Sequence, residues 1–90
     1  MKTTEKMEIV NKLGLHLRAA AQFVKVAHKF KCHITISYGI QVANGKSLMG
    51  LITLAASQGT ILEVCADGED AKEALAALRT LIAKKFDEKE

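Results

Sequence analysis

The chain has 90 residues, which predicts one domain over residues 1–90 with one modest core. Its net charge of +3 is too small, and its basic residues too scattered, to indicate nucleic-acid binding. No apolar stretch is long enough to span a membrane, and the N-terminal residues lack the apolar run of a signal peptide. The composition therefore predicts a cytoplasmic protein that binds neither nucleic acid nor membrane.

Hydrophobic spacing divides the chain into strands and helices. Alternation around Met7 and Ile9 indicates a first strand, and apolar residues at helical spacing after His16 indicate a first helix. In chain order we predict a strand over 5–11, a helix over 17–30, strands over 33–38 and 40–43, a helix over 48–55, a strand over 60–66, a helix over 70–86 and a frayed polar tail over 87–90.

This order, β-α-β-β-α-β-α, is typical of an α+β fold. We expect an open-faced β-sandwich, in which a four-stranded antiparallel sheet carries three helices on one face. Leu51 and Leu54 of the second helix are predicted to be core residues. The last helix has the strongest pattern, because its apolar residues form one stripe: Ala71, Ala74, Leu75, Leu78, Leu81, Ile82 and Phe86.

The two cysteines, Cys32 and Cys65, lie far apart in the sequence and are expected to be free thiols in the cytoplasm. Cys65 falls within an apolar strand and is predicted to be a small buried side chain. Cys32 is interpreted as a thiol at the start of a strand, beside a surface histidine, His33. No second ligand pair at zinc spacing accompanies them, so we expect no metal site.

The segment from Asn11 to Ala20 holds the candidate chemistry. His16 lies where the strand pattern gives way to the helix pattern, which places it at or near the helix N-cap. A helix N-terminus attracts anions, and Arg18 adds a guanidinium whose fork suits phosphate oxygens. The segment thus suggests transient phosphorylation of His16, although so short a pattern, taken alone, favours an ordinary surface or capping histidine.

Three blocks of the chain resemble the HPr family, the histidine phosphocarriers of the bacterial phosphoenolpyruvate-dependent sugar phosphotransferase system. Residues 14–18 (Gly-Leu-His-Leu-Arg) resemble its active-centre motif, and residues 44–51 (Asn-Gly-Lys-Ser-Leu-Met-Gly-Leu) resemble the surroundings of its regulatory serine. Residues 58–71 resemble its last strand and the entry to its last helix. One departure is Ala19, where the family usually has a proline that fixes φ at the helix start.

The resemblance implies a relay in phosphoryl transfer rather than a stand-alone enzyme. His16 would accept the group on Nδ1, the pros nitrogen, and hold it as a phosphoramidate. The backbone N–H groups of Leu17 and Arg18, with the Arg18 side chain, would bind the phosphate oxygens. Enzyme I, charged by phosphoenolpyruvate, would be the donor and a IIA protein or domain the acceptor. The family needs no cofactor, and we expect a monomer.

Ser47 suggests an alternative function for the chain, namely regulation. It is expected to be the N-cap of the second helix, and the resemblance adds regulatory phosphorylation by a serine kinase/phosphorylase. The chain would then be a regulatory docking module controlled at Ser47, although its retention of His16 argues against this as the only role. Gly45-Lys46-Ser47 also ends like a nucleotide-binding P-loop, but a strand pattern precedes it instead of a glycine-rich loop, so we reject that interpretation.

The resemblance also implies a partner-docking patch beside the histidine. Its centre would be apolar side chains of the second helix, and its rim would be basic, which suits a transient interface with an acidic partner face. The residues of this docking patch are Leu48, Met49, Ile52, Lys25 and Lys46, with Arg18 adjoining it.

Overall fold

The computed structural model describes residues 1–88, and its elements follow the predicted order. The strands are β1 (Lys2–Glu8), β2 (His33–Tyr38), β3 (Gln41–Asn44) and β4 (Ile61–Asp67). The helices are α1 (Leu17–Ala27), α2 (Leu48–Leu54) and α3 (Ala71–Ala83), and a 3-10 turn covers Lys85–Asp87. In this part of the chain, no helix combines the length and the apolar character needed to cross a membrane.

The strands form an antiparallel sheet in the order β1-β4-β2-β3. On β4, Leu62, Val64 and Ala66 are buried, whereas the alternate residues Ile61 and Glu63 are exposed and Cys65 is half-buried. Successive side chains of a strand point to opposite faces, so one face of the sheet is covered and the other is open. The helices pack against the covered face, which confirms the open-faced α+β sandwich.

The core lies between the sheet and the helices. All seven residues of the predicted stripe on the last helix are buried, and so are Leu51 and Leu54 of α2. The buried face of α1 consists of Phe23 and three alanines, and α1 packs against α2 and α3. His16 directly precedes this helix, so the packing of α1 positions the backbone beside it.

The first strand lies three residues nearer the N-terminus than the predicted range of 5–11. Thr3 and Glu5 share the helix-facing side of β1 with Met7, but they are only half-buried. Their polar character hides the alternation there, so the pattern misses the true start of the strand. Beyond Glu8, Ile9 still bonds to the β4 side: its N–H donates to the Thr60 carbonyl at 2.8 Å, and its carbonyl accepts from Gly59 at 2.7 Å.

The last helix ends at Ala83, earlier than the predicted residue 86. Lys85, Phe86 and Asp87 have φ angles of 59°, 55° and 60°, which an α-helix cannot contain. Phe86 therefore reaches the core from a left-handed turn and not from the helix. The prediction of a frayed tail is wrong for residues 87 and 88, which this turn folds back onto the protein, while residues 89–90 lie outside the described part.

Cys65 differs from its prediction, whereas Cys32 is, as predicted, a free thiol at the start of a strand. Cys65 was expected to be buried, but it is only half-buried, because its neighbours Val64 and Ala66 take the covered face of β4. Cys65 lies instead on the open face, in register with Thr35 of β2. Cys32 is the buried thiol, with 2% of its surface exposed, and both cysteines are free.

Candidate active site

The turn between β1 and α1 fixes the backbone before His16. Asn11 is completely buried and its Nδ2 donates to the Gly14 carbonyl at 2.7 Å. Gly14 has a φ of +70°, which glycine adopts without steric cost. Leu15 is buried, and its N–H donates to the carbonyl of Ala56, just beyond α2, at 2.8 Å. The turn is thus tied to two separate parts of the fold.

His16 is the N-cap of α1, as predicted from its place between strand and helix. Its backbone is extended, and its carbonyl accepts from Ala20 N–H at 2.8 Å. The imidazole makes no capping bond to the helix and has 29% of its surface exposed. The N–H groups of Leu17 and Arg18, in the first turn, lack carbonyl partners within an α-helix. The helix start therefore combines a partly exposed nucleophile with amide donors for an anion.

The imidazole contacts a carboxylate from the other end of the chain. Nε2 of His16 pairs with Oε2 of Glu88, and Oε1 of Glu88 accepts from Asn11 Nδ2 at 3.0 Å. Sequence reasoning missed both partners, because it treated Asn11 as a turn former and Glu88 as frayed tail. One sequence feature could have indicated Glu88, namely the apolar residue Phe86 at the end of the helical stripe. Phe86 is buried and so anchors the chain two residues before Glu88.

Arg18 is exposed in the first turn of α1, two residues after His16. No ion pair found between residues 1 and 88 holds its guanidinium, so it can turn toward an anion at the helix start. Ala19, in the position where the family has proline, is completely buried. The helix begins at Leu17 with alanine in its first turn, so proline is not required for the helix to start there.

Ser47 is the N-cap of α2, which confirms the structural part of its prediction. Its Oγ accepts from the Gly50 N–H at 3.1 Å, and the residue is half-buried. The next two residues differ in exposure, since Leu48 is half-buried and Met49 is 69% exposed. Ser47 therefore begins the helix that carries both of these apolar side chains.

The remaining members of the docking patch have different surroundings. Ile52 is half-buried on α2, and Lys25 is exposed on α1, which packs against α2. The Lys46 ammonium, in contrast, donates to the Phe30 carbonyl at 2.6 Å, just past the end of α1. Leu17, which sequence reasoning did not single out as an exposed apolar residue, directly follows His16 and is 63% exposed.

In the part of the chain that the structure covers, no three His, Cys, Asp or Glu side chains are grouped so that they could hold a metal ion. The site consists of an imidazole, backbone amides, an exposed guanidinium and a largely buried carboxylate. Such a set can hold and pass on an anionic group through the histidine.

Comparison with known proteins supports the same chemistry. The family described as PTS HPr component phosphorylation site matches residues 3–84. Phosphocarrier protein HPr of Neisseria meningitidis is 45% identical over 86 residues, which cover 96% of this chain and 97% of the relative. A crystal structure of HPr-C-His from Thermoanaerobacter tengcongensis superposes with a TM-score of 0.93 at 42% identity, covering 98% of this chain and 99% of that one.

A second structure from the same organism is described as an HPr dimer, with a TM-score of 0.78 at 45% identity, covering 91% of this chain and 94% of that one. The family match, the sequence identity and the superposition each extend over nearly the whole chain. They agree with the observed fold. The chain belongs to the HPr family and is a phosphocarrier of the phosphotransferase system.

Proposed function

We propose that His16 is the residue that carries the phosphoryl group, received from enzyme I and passed to a IIA protein or domain in the cytoplasm. The observation that carries this proposal is the position of His16 at the N-cap of α1, with an imidazole that is partly exposed and does not cap the helix. The neighbouring amides of Leu17 and Arg18 offer donors at the same helix end.

The transfer needs little more than positioning and charge stabilisation. The lone pair of His16 Nδ1 attacks phosphorus, an N–P bond forms, and the bond between phosphorus and the donor breaks with its electron pair returning to enzyme I. The phosphate oxygens accept from the Leu17 and Arg18 N–H groups, while the Arg18 guanidinium neutralises their charge. Attack by the acceptor on the same phosphorus releases the imidazole again.

The partners would bind to the docking patch of Leu48, Met49, Ile52, Lys25 and Lys46. Met49 supports this assignment best, since an apolar side chain with 69% exposure next to a basic rim suits a transient contact with an acidic face. A relay whose face meets successive partners works as a monomer, and sedimentation of the free protein tests this. One related structure is described as a dimer, and that description applies to the relative alone.

The deciding experiment mixes the protein with phosphoenolpyruvate and enzyme I, and then measures intact mass and phosphorus NMR. We expect one acid-labile phosphate in the wild type and in His33→Ala, which removes an exposed histidine on β2. We expect none in His16→Ala. Acid-labile phosphate that persists in His16→Ala would overturn the assignment.

A second role is regulation at Ser47 by a serine kinase/phosphorylase. The supporting observation is that the Ser47 hydroxyl caps α2, the helix that carries Leu48, Met49 and Ile52, so a phosphate there would place negative charge at the edge of the docking patch. Ser47→Asp should then slow transfer from enzyme I, whereas Ser47→Thr, which keeps a capping hydroxyl, should not. Equal rates for the two variants would contradict this role.

A further inference from the structure

We propose that Glu88 is a positioning residue for phosphoryl transfer, because its carboxylate holds the Nε2–H of His16 and so directs Nδ1 toward the phosphoryl group. The inference rests on the proposed role of His16. It concerns a residue 72 positions away from His16 in the chain, which no local sequence pattern connects with the site.

The carboxylate is held from both sides. One oxygen pairs with His16 Nε2, and the other accepts from Asn11 Nδ2 at 3.0 Å. The Glu88 side chain is only 9% exposed, and Asn11 is completely buried. Asn11 also bonds to the Gly14 carbonyl at 2.7 Å, so a single amide links the carboxylate to the turn that precedes His16. Burial strengthens these bonds by excluding competing water.

The C-terminal turn explains how Glu88 reaches this place. Phe86 is buried and anchors the chain in the core, 1% exposed. The Asp87 N–H donates to the Lys84 carbonyl at 3.0 Å, and the Glu88 N–H donates to the Lys85 carbonyl at 2.9 Å. These bonds close the left-handed turn and reverse the chain direction after α3. The carboxylate is thus presented by an ordered, anchored segment.

The chemistry follows from the two nitrogens of imidazole. A neutral ring carries one N–H and one lone pair, and an acceptor beside Nε2 favours the form with its hydrogen on Nε2. Nδ1 then keeps the lone pair that attacks phosphorus. The product ring carries phosphorus on Nδ1, hydrogen on Nε2 and a positive charge, which the Glu88 carboxylate stabilises.

The same contact serves the onward step. When the acceptor attacks, the N–P bond breaks and its electron pair returns to Nδ1. The ring leaves as a neutral imidazole with its hydrogen still on Nε2, so no proton has to move in either direction. Without the carboxylate, the hydrogen on Nε2 and the positive charge of the phosphorylated ring would lose their largely buried partner.

Nitrogen-15 NMR of the full chain tests the contact without any partner protein. We expect the neutral ring of His16 to carry its hydrogen almost entirely on Nε2 in the wild type. We expect the Nδ1–H form to become populated in Glu88→Ala and in the isosteric Glu88→Gln. Glu63→Gln, which removes an exposed carboxylate on the open face of the sheet, should match the wild type. An unchanged tautomer ratio in Glu88→Ala would overturn the inference.

Transfer kinetics supply the second readout. Loss of a charge-assisted hydrogen bond should lower the rate constant for transfer from the phosphorylated protein to a IIA protein about tenfold, with little change in KM. If both Glu88 variants transfer at the wild-type rate while His16→Ala carries no phosphate, the positioning role fails and the proposed function stands. If His16→Ala is still phosphorylated, the proposed function fails, and the NMR result still decides whether Glu88 sets the tautomer.

Discussion

At the scale of single residues, the site depends on the backbone at Gly14. Its φ of +70° is a conformation that other L-residues adopt at a cost. A Cβ at this position would lie 2.6 Å from the Ala56 carbonyl oxygen and 2.9 Å from the Ser57 Cα. Both are backbone atoms, which cannot move aside as a flexible side chain would. Glycine is therefore needed at position 14 for two reasons: the positive φ, and the lack of room for a Cβ.

We expect Gly14→Ala to lower the free energy of unfolding by about 2 kcal/mol or more, because it adds a steric clash to the backbone strain. Urea denaturation measures this loss. Gly39→Ala is the matched control, since Gly39 has a similar φ of +63° but no atom within 4 Å of the added Cβ. A loss in Gly14→Ala no larger than in Gly39→Ala would show that the close contact with residues 56–57 does not matter.

Arg18 leads to a prediction about phosphate binding. Arg18→Lys keeps the charge but loses the two-pronged geometry that matches phosphate oxygens, so we expect phosphorylation by enzyme I to slow about tenfold. Arg79→Lys alters a guanidinium that pairs with Glu5, between α3 and β1, and should leave the rate unchanged. Initial rates measured by intact mass compare the two, and a wild-type rate in Arg18→Lys would rule out a bidentate clamp.

At the scale of secondary-structure elements, one carboxylate connects the start of α3 to the segment that enters β2. Asp70 Oδ2 accepts from the Lys31 N–H at 2.8 Å, and Oδ1 accepts from the Cys32 N–H at 3.0 Å. These bonds, led by the one from Lys31, lower the pKa of Asp70. Gly68 packs tightly against the same segment, since a Cβ added to Gly68 would lie 2.7 Å from the Cβ of Cys32.

The lowered pKa of Asp70 predicts a pH-dependent contribution to stability. The folded-state pKa lies below the ordinary value of about 3.9, so the contribution is complete above that value and is lost as the pH falls through the folded pKa. We expect the urea midpoint of the wild type to be higher than that of Asp70→Asn at about pH 7. The difference between the two midpoints should disappear as the pH falls toward about pH 2.

Glu69→Gln serves as the control for this titration, because it removes the adjacent, exposed carboxylate. Its urea midpoint relative to the wild type should show no comparable loss on acidification. A gap between wild type and Asp70→Asn that stays constant across the pH range would show that the Asp70 charge does not stabilise the joint between α3 and β2.

At the scale of the whole molecule, the helices cover one face of the sheet and leave the other open, which separates the two thiols. Cys32 is buried beneath the entry to α3, and burial, followed by the hydrogen bond and charge of Asp70, raises the pKa of its thiol. Cys65 is half-buried on the open face. Because the thiolate is the reactive form, the fold makes Cys32 unreactive by both access and ionisation.

Alkylation with iodoacetamide, followed by peptide mass spectrometry, tests this separation. We expect Cys65 to be labelled in the native protein and Cys32 to react only when urea unfolds the chain. The variant Cys65→Ser isolates the Cys32 rate from any effect of prior labelling. Equal native labelling of both thiols would contradict the assignment of the two faces.

The spacing of apolar residues along the chain was sufficient to predict much of the fold. The order of seven elements, six buried residues of the last helix and the N-cap position of His16 could all be predicted from the sequence, because the periods of helices and strands record which side chains are buried. The same rule, applied strictly to β4, would have placed Cys65 opposite Val64 and Ala66. The apolar character of the strand masked that alternation.

Only the tertiary structure decided which distant groups meet at His16. Asn11 and Glu88 are 77 positions apart, and no local pattern encodes their contact. It depends on three consecutive non-glycine residues with positive φ, a conformation that intrinsic preference disfavours and that the buried Phe86 stabilises. The sequence by itself determined the order of the elements and the place of His16, the histidine proposed as acceptor, at the start of a helix. The carboxylate beside its ring depends on long-range packing, because only a formed core holds so strained a turn.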